Sequence, residues 1–321
     1  MKTLSMFGYY GGKAKLAPVI CDILDYANTN IYIEPFGGAC RTLLNKPRHY
    51  TEIYNDSSAG LCAFVEIMSN KDTAYELIRR LYNTEYSPEQ FEWALNLRNS
   101  VDDPIWKQVK SDYNKIKEKV NNNPQGLTRD ELYIKKNYNL LKKLYSPGKD
   151  IKYIPYIPSS MDLAVATYII YTQSRDCMGK DWSRNKYKSL DDYHKSIHKL
   201  YDVAERLEDV IVCQADAKFM LKKYLKNENV CCYADPSYLD PDTNVDLGNN
   251  VYKHQSTYKD HEAFLDLVAN ATCKMVISNY DSDLYRTKLS RWNRIEIPVK
   301  TTVGGIKNNK RLEVIWYNYR I

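Results

Sequence analysis

The stretch Val230-Cys231-Cys232-Tyr233-Ala234-Asp235-Pro236-Ser237-Tyr238 decides how this chain is read. An uninterrupted apolar run meets an acid, a proline and an aromatic ring. A short apolar run bounded by a turn signal reads as a strand buried on both faces, the kind found inside a parallel sheet. The residues after it suit the grip of a flat base by its amino group. The Asp235 carboxylate accepts hydrogen bonds from an NH2 group. Pro236 stiffens the turn. Tyr238 offers a face on which a base can stack. Asp-Pro after a strand is equally an ordinary turn, so the tetrapeptide needs support from the rest of the chain.

Strand and helix alternate on both sides of it. Upstream, residues 13–26 have helical periodicity and Ile31-Tyr32-Ile33 is a short strand ending at Glu34-Pro35. Ile53-Tyr54 is another, ending at Asn55-Asp56, and residues 59–68 are helical. Residues 73–82, 88–97, 104–120, 128–145 and 161–171 then read as helices, with a loop at 121–124. Residues 173–190 are polar and irregular. The strand 210–212 and a helix over 217–224 lead into the quoted strand. Residues 239–256, rich in Asp, Asn and Gly, read as mobile. A helix over 259–269, the strand 275–277, a helix over 283–289 and the strand 294–297 follow. Residues from Gly304-Gly305 to Tyr319 read as a hairpin closed by the strand 312–317. This order predicts an α/β fold: a doubly wound, Rossmann-like sheet with a C-terminal antiparallel hairpin and a mainly helical insertion. Residues 1–68 and 207–321 form the first domain, and 69–206 the inserted one.

Bulk properties narrow the function classes. At 321 residues the chain is long for one simple domain. Its 44% apolar content excludes a disordered chain. Tyr, at 29 copies against 6 Phe, fits surfaces that meet polar partners or nucleic acid. There is no run of 18 apolar residues, so no membrane span is expected. Met1-Lys2-Thr3-Leu4 opens no signal-peptide core. The eight cysteines form no CxxC and no zinc-spaced cluster, which predicts reduced, packed thiols and no metal site. Residues 71–206 hold 24 Lys+Arg against 19 Asp+Glu, and residues 107–152 hold 12 against 5. A basic stretch of that kind is either a phosphate-binding surface or a solvated helix face.

In a doubly wound sheet, ligands bind at the carboxyl ends of the strands. Here those ends carry Glu34-Pro35-Phe36-Gly37-Gly38-Ala39, Asp56 and Asp235. The glycines let a ligand approach the backbone, and the acid before them could hold an amino group or orient the loop. Asp56, about 20 residues beyond, suits a ribose diol. Tyr9-Tyr10-Gly11-Gly12-Lys13 adds a second glycine-rich turn. Tight turns and helix entries use the same glycines. With no GxGxxG and no GxxxxGK[ST], neither a dinucleotide nor a nucleoside triphosphate is favoured. A cofactor with a ribose, an amino-acid tail and no phosphate fits better.

Together these motifs resemble the Dam-type, D12-class DNA adenine-N6 methyltransferases. Gly11-Gly12-Lys13, Glu34-Pro35-Phe36-Gly37-Gly38, a helical insertion and Asp235-Pro236-Ser237-Tyr238 occur in that family's order. Ser278-Asn279-Tyr280 and Leu312-Glu313-Val314 resemble its later segments. The likeness covers the first domain; the insertion matches in position and character only. The resemblance implies S-adenosylmethionine as methyl donor and a flipped adenine in double-stranded DNA as acceptor. It makes Asp235, Pro236 and Tyr238 catalytic. It places Tyr9, Lys13, Glu34, Phe36, Gly37, Gly38, Asp56, Asp216 and Asp235 around the cofactor. Residues 69–206 become a target-recognition domain, in which Arg175, Lys180, Arg184 and Asn185 are the best candidates for DNA contacts. A cytoplasmic protein of prokaryotic or phage origin is the expected setting. A cognate restriction endonuclease, and a monomer or weak dimer, are compatible with it. Cytosine-N4 methylation is the rival enzyme reading, since the chemistry on an exocyclic amine is the same. An inactive DNA-binding relative is the rival from another class. Two positions depart from the family pattern. Ser237 stands where a second proline is usual, and Cys40 and Arg41 stand where glycine and a small residue are favoured.

Overall fold

The computed structural model describes residues 3–9, 11–13, 16–102, 161–241, 243–247, 256–301 and 309–321. The helices expected over 104–120 and 128–145, the loop at 121–124, the basic stretch 107–152 and the turn at Gly304-Gly305 lie outside these residues. The first half runs α1 (Ala17–Asp25), β1 (Ile31–Glu34), α2 (Arg41–Asn45), β2 (Thr51–Asn55), α3 (Ala59–Met68), α4 (Lys71–Tyr82) and α5 (Pro88–Asp102). After residue 160 come α6 (Met161–Gln173), α7 (Leu190–His198), α8 (Leu200–Leu207), β3 (Ile211–Cys213), α9 (Ala217–Tyr224) and β4 (Val230–Ala234). The chain closes with α10 (Tyr258–Val268), β5 (Lys274–Tyr280), α11 (Asp283–Lys288), β6 (Asn293–Thr301) and β7 (Asn309–Tyr317).

The strands form one seven-stranded sheet in the order β3-β2-β1-β4-β5-β7-β6. β3, β2, β1, β4 and β5 are mutually parallel. β7 enters antiparallel between β5 and β6, as the expected C-terminal antiparallel pair requires. Strand order reverses between β1 and β4, which opens a crevice at their carboxyl ends. β4 is the middle strand and every residue of it is buried, as its apolar run predicts.

Alternate residues along each strand serve opposite faces. Tyr32, Tyr54, Cys231, Tyr233 and Val276 join one apolar cluster with α1–α8. Ile33, Ile53, Cys232, Ala234 and Met275 join a second with α9, α10 and α11. The first cluster is the thicker because α6 is buried on nearly all sides, which suits a helix in the middle of a layer. α3 and α6 approach closely at Gly60, where a Cβ would lie 2.6 Å from Thr167 Oγ1. A buried ion pair also crosses this face. Arg206 on α8 donates twice to Glu52 on β2, at 2.6 and 2.9 Å, and Lys46 pairs with the same carboxylate.

The first helix is described over Ala17–Asp25 with Pro18 in its first turn, and residues 14–15 of its expected span lie outside the described residues. α2, α7 and α8 fall where the sequence reading places no element. Within the stretch 239–256, read as mobile, residues 239–241, 243–247 and 256 are described. Leu239 and Asp246 form an antiparallel bridge, and Leu247 N–H donates to Tyr238 O at 2.8 Å. All eight cysteines are free, and six of them are buried.

Candidate active site

The carboxyl ends of β3, β2, β1, β4 and β5 lie in a row, and each expected catalytic-lobe residue sits on that row or on the N-terminal segment beside it. At the end of β4, both oxygens of Asp235 are held. Ser278, on β5, donates to Oδ1 at 2.7 Å, and Lys13 Nζ pairs with Oδ2 at 2.8 Å. Tyr233 lies 2.8 Å from the same serine oxygen. The single hydroxyl proton of Ser278 is committed to Asp235, so Tyr233 is the donor to Ser278. Burial and the neighbouring Asp235 charge hold the Tyr233 phenol well above its usual range, so it remains a donor.

Lys13 also donates to Gly11 O at 2.7 Å and lies 4.5 Å above the centre of the Tyr238 ring. Tyr238 meets Tyr280 edge to face at 4.7 Å, and the Arg311 guanidinium covers Tyr280 at 5.4 Å. Arg311 is fixed in turn by Asp240 at 2.8 Å. Two aromatic rings thus stand between two cations, an arrangement that orients both rings. Glu313, on β7, faces the same group. Burial and Asp235 push its carboxyl up, while Lys13 offsets part of the rise.

The loop after β1 is shaped by its contacts. Gly37 N–H donates to Asn55 O at 2.8 Å, and a Cβ on Gly37 would lie 2.0 Å from the Tyr54 ring. No side chain fits there. Gly38, at φ +48°, donates to Asp56 Oδ2 at 2.9 Å and accepts from Tyr54 OH at 2.8 Å. Cys40 follows at φ +54°, a left-handed conformation that glycine adopts without strain. Its thiol is fully buried and burial raises its pKa, which makes it a packed thiol rather than a nucleophile. Phe36 packs edge to face on Phe264 at 5.8 Å.

Asp56 also accepts from Ser58 N–H at 2.8 Å, so it braces both the glycine loop and the start of α3. Asp216 is exposed and caps α9 through Lys218 N–H at 2.7 Å. Glu34 points into the sheet's own face rather than along the loop. It is 2% exposed, receives Tyr32 OH at 3.2 Å, and burial lifts its pKa to about 8. Asn55 has no role in the sequence reading beyond ending a strand, yet it stitches three strand ends together. Its amide donates to Pro35 O at 2.9 Å and to Ala215 O at 3.1 Å, and it accepts from Ala215 N–H at 3.0 Å.

Tyr9 touches both the loop after β1 and α6. A Cβ on Gly38 would be 3.2 Å from its ring, and its ring meets Tyr171 at 5.2 Å. Beside it, a Cβ on Gly8 would lie 2.5 Å from Cys177 Sγ, which brings the 173–190 segment against the N-terminal one. That segment holds no helix or strand between Gln173 and Leu190, as its polar sequence suggests, but hydrogen bonds fasten it. Ser174 and Trp182 form a bridge, and Arg175 N–H and Ser183 N–H donate to Asp181 O and Gln173 O, each at 2.9 Å. Lys186 is an internal strut that donates to Tyr171 O at 2.9 Å and Ser174 O at 2.7 Å. Arg175, Lys180, Arg184 and Asn185 are all exposed on the outside of this loop.

A model of the D12 class N6 adenine-specific DNA methyltransferases matches residues 9–303, and the chain belongs to that family. A comparison with curated proteins returned no match. The protein is therefore an adenine-specific DNA methyltransferase, and cytosine-N4 methylation is not favoured. Among the described residues, no helix is long and apolar enough to cross a membrane.

Proposed function

We propose that this D12-class enzyme takes the methyl group from S-adenosylmethionine and delivers it to an adenine flipped out of double-stranded DNA, with Asp235, Pro236 and Tyr238 as the amino-group clamp. One observation carries the reading. The Lys13 ammonium lies on Asp235 and above the Tyr238 ring at once. That is the place an exocyclic amine takes when its base stacks on the tyrosine and its N–H bonds to the carboxylate. A base inside a duplex cannot reach it, hence the flip.

The cofactor's chemistry is an electrophilic methyl on a sulfonium. The row of strand ends suits its other parts. The backbone at Gly37-Gly38 is packed against the Tyr54 and Tyr9 rings, which fixes the shape of the loop that would face the cofactor. Asp56 would hold the ribose diol, and Asp216 would lie near the adenine edge. Carboxylate oxygens accept more than one bond, so bracing the loop and holding a diol are compatible roles for Asp56. Tyr9, Lys13, Glu34 and Phe36 complete the surroundings, Glu34 from beneath the loop.

Asp235 and the Pro236 carbonyl accept from the adenine NH2. This turns the nitrogen lone pair away from ring conjugation and aims it at the methyl. Asp235 then stabilises the positive charge growing on nitrogen. Ser278 holds the carboxylate in that orientation. The proton leaves after transfer, so Asp235 acts as acceptor and orienter rather than as a strong base. In residues 69–206, basic groups would neutralise phosphates, and Arg175, Lys180, Arg184 and Asn185 would meet the DNA from the 173–190 loop.

The test is Asp235→Ala, assayed for methyl transfer to DNA from a methylation-free host. The expected result is a rate loss of about a thousandfold with S-adenosylmethionine still bound. Near-wild-type methylation would rule the clamp out.

A further inference from the structure

Ser237 lies inside the clamp, and its surroundings give the serine a task. Its hydroxyl donates to Asp246 Oδ2, and its carbonyl accepts from Asn279 Nδ2 at 3.2 Å. Asn279 also donates to Tyr285 OH at 3.1 Å, and its Oδ1 accepts from Leu239 N–H at 3.1 Å. Tyr285 OH meets His261 Nδ1 at 3.0 Å, and His261 Nε2 meets Asp246 Oδ2 at 2.8 Å. The bonds close a ring: Ser237, Asn279, Tyr285, His261, Asp246 and back to Ser237. A carboxylate only accepts, so Nε2–H donates to Asp246, and in the tautomer with its proton there Nδ1 accepts from Tyr285. Both arms of the ring then run from the Asn279 amide, as the donor, to Asp246, as the final acceptor.

The ring is dry. The Asp246 and His261 side chains are 0% and 1% exposed. Its members come from the hairpin after β4, from α10, from β5 and from α11, so four separate elements converge on one residue of the turn. Unpaired polar groups at such depth are costly, so the ring holds its geometry tightly.

We infer that Ser237, with Asp246 and His261 behind it, is a positioning residue for methyl transfer: the ring fixes the backbone on either side of Ser237 and so aims the Pro236 carbonyl and the Tyr238 ring. A second proline would restrict the turn through its own covalent ring. Here the same restriction comes from two hydrogen bonds to one serine. The inference rests on the proposed clamp, and its test separates the two.

The experiment uses the full chain with three readouts: single-turnover methylation of duplex DNA, calorimetric binding of S-adenosylmethionine alone, and thermal unfolding. Ser237→Ala should slow single-turnover transfer about tenfold while cofactor affinity stays within about twofold. Ser237→Thr, which keeps the hydroxyl, should recover most of the rate. Tyr285→Phe opens the ring on its far side without touching the turn, and should slow transfer several-fold in the same pattern. Wild-type single-turnover rates in Ser237→Ala and Tyr285→Phe overturn the inference. So does a loss of rate that only follows a loss of cofactor affinity. Asp235→Ala is run alongside. If it is inactive while the ring variants are normal, only the ring fails. If it too is active, the clamp itself fails.

Discussion

Two carboxylates lie close to the turn that leaves β4, and they are held in opposite ways. Asp235 is held by a serine and a lysine, and its side chain remains 19% exposed. Asp246 is held by a serine and a histidine, and its side chain is fully buried. The two differ in what can replace those donors. An incoming amine can substitute for an ammonium on an open carboxylate. It cannot reach a sealed one. Access therefore separates the two carboxylates, and the closed one braces Ser237, two residues beyond the open one.

Substituting the open carboxylate should have the greatest effect. Asp235→Ala is expected to lower the methylation rate about a thousandfold with S-adenosylmethionine still bound. Asp246→Ala should act chiefly on stability instead. It leaves the His261 N–H and the Ser237 hydroxyl without this acceptor, at a cost of about 3 kcal/mol in a denaturant titration. If Asp246→Ala is as stable as wild type, the two sites do not differ as described.

Gly37→Ala probes the loop after β1. Its Cβ would strike the Tyr54 ring, so the loop must shift, and S-adenosylmethionine affinity should fall about tenfold by calorimetry. Glu34 is a third kind of carboxylate, buried and bonded to a phenol, and its pKa of about 8 lies above the ordinary value of 4.5. The folded protein then binds more protons than the unfolded chain between those values, and stability falls as pH rises through them. Glu34→Gln removes that penalty. Its melting temperature should gain a few degrees on wild type at pH 8 relative to pH 5. A constant difference across that range would show that Glu34 ionises normally. The smallest change is expected at the surface. Arg184→Ala should weaken DNA binding by less than about tenfold. A reduced salt dependence would mark a phosphate contact, and methylation at altered sites would mark base reading.

Local signals carry the sheet. The apolar run 230–234, the strand ends at Glu34 and Asn55, and the later strand at 275–277 each depend on a handful of adjacent residues, and all four appear where expected. α2 is hidden from such signals because five residues are too few to show a helical period, and because its entry uses a non-glycine left-handed residue, Cys40. The segment after Tyr238 has a mobile composition, since polar residues usually serve turns. Its described residues are tied down where Asp246 meets His261, and no local pattern announces a pairing between distant elements. The same limit applies at Asp235. Its residue type points to the amino-group clamp, but the partnership with Lys13 and Ser278 exists only once β4, β5 and the N-terminal segment are assembled.

Asn55 has a consequence for how the site can change over generations. One amide group ties the loops after β1 and β3 to the end of β2. Side chains on those loops can vary while the backbone they hang from is held from below by a residue that need not touch any ligand. Substitutions in the loops are thereby tried against a constant frame. A change at Asn55 itself would disturb three loops at once, so variation should collect around this position and spare it.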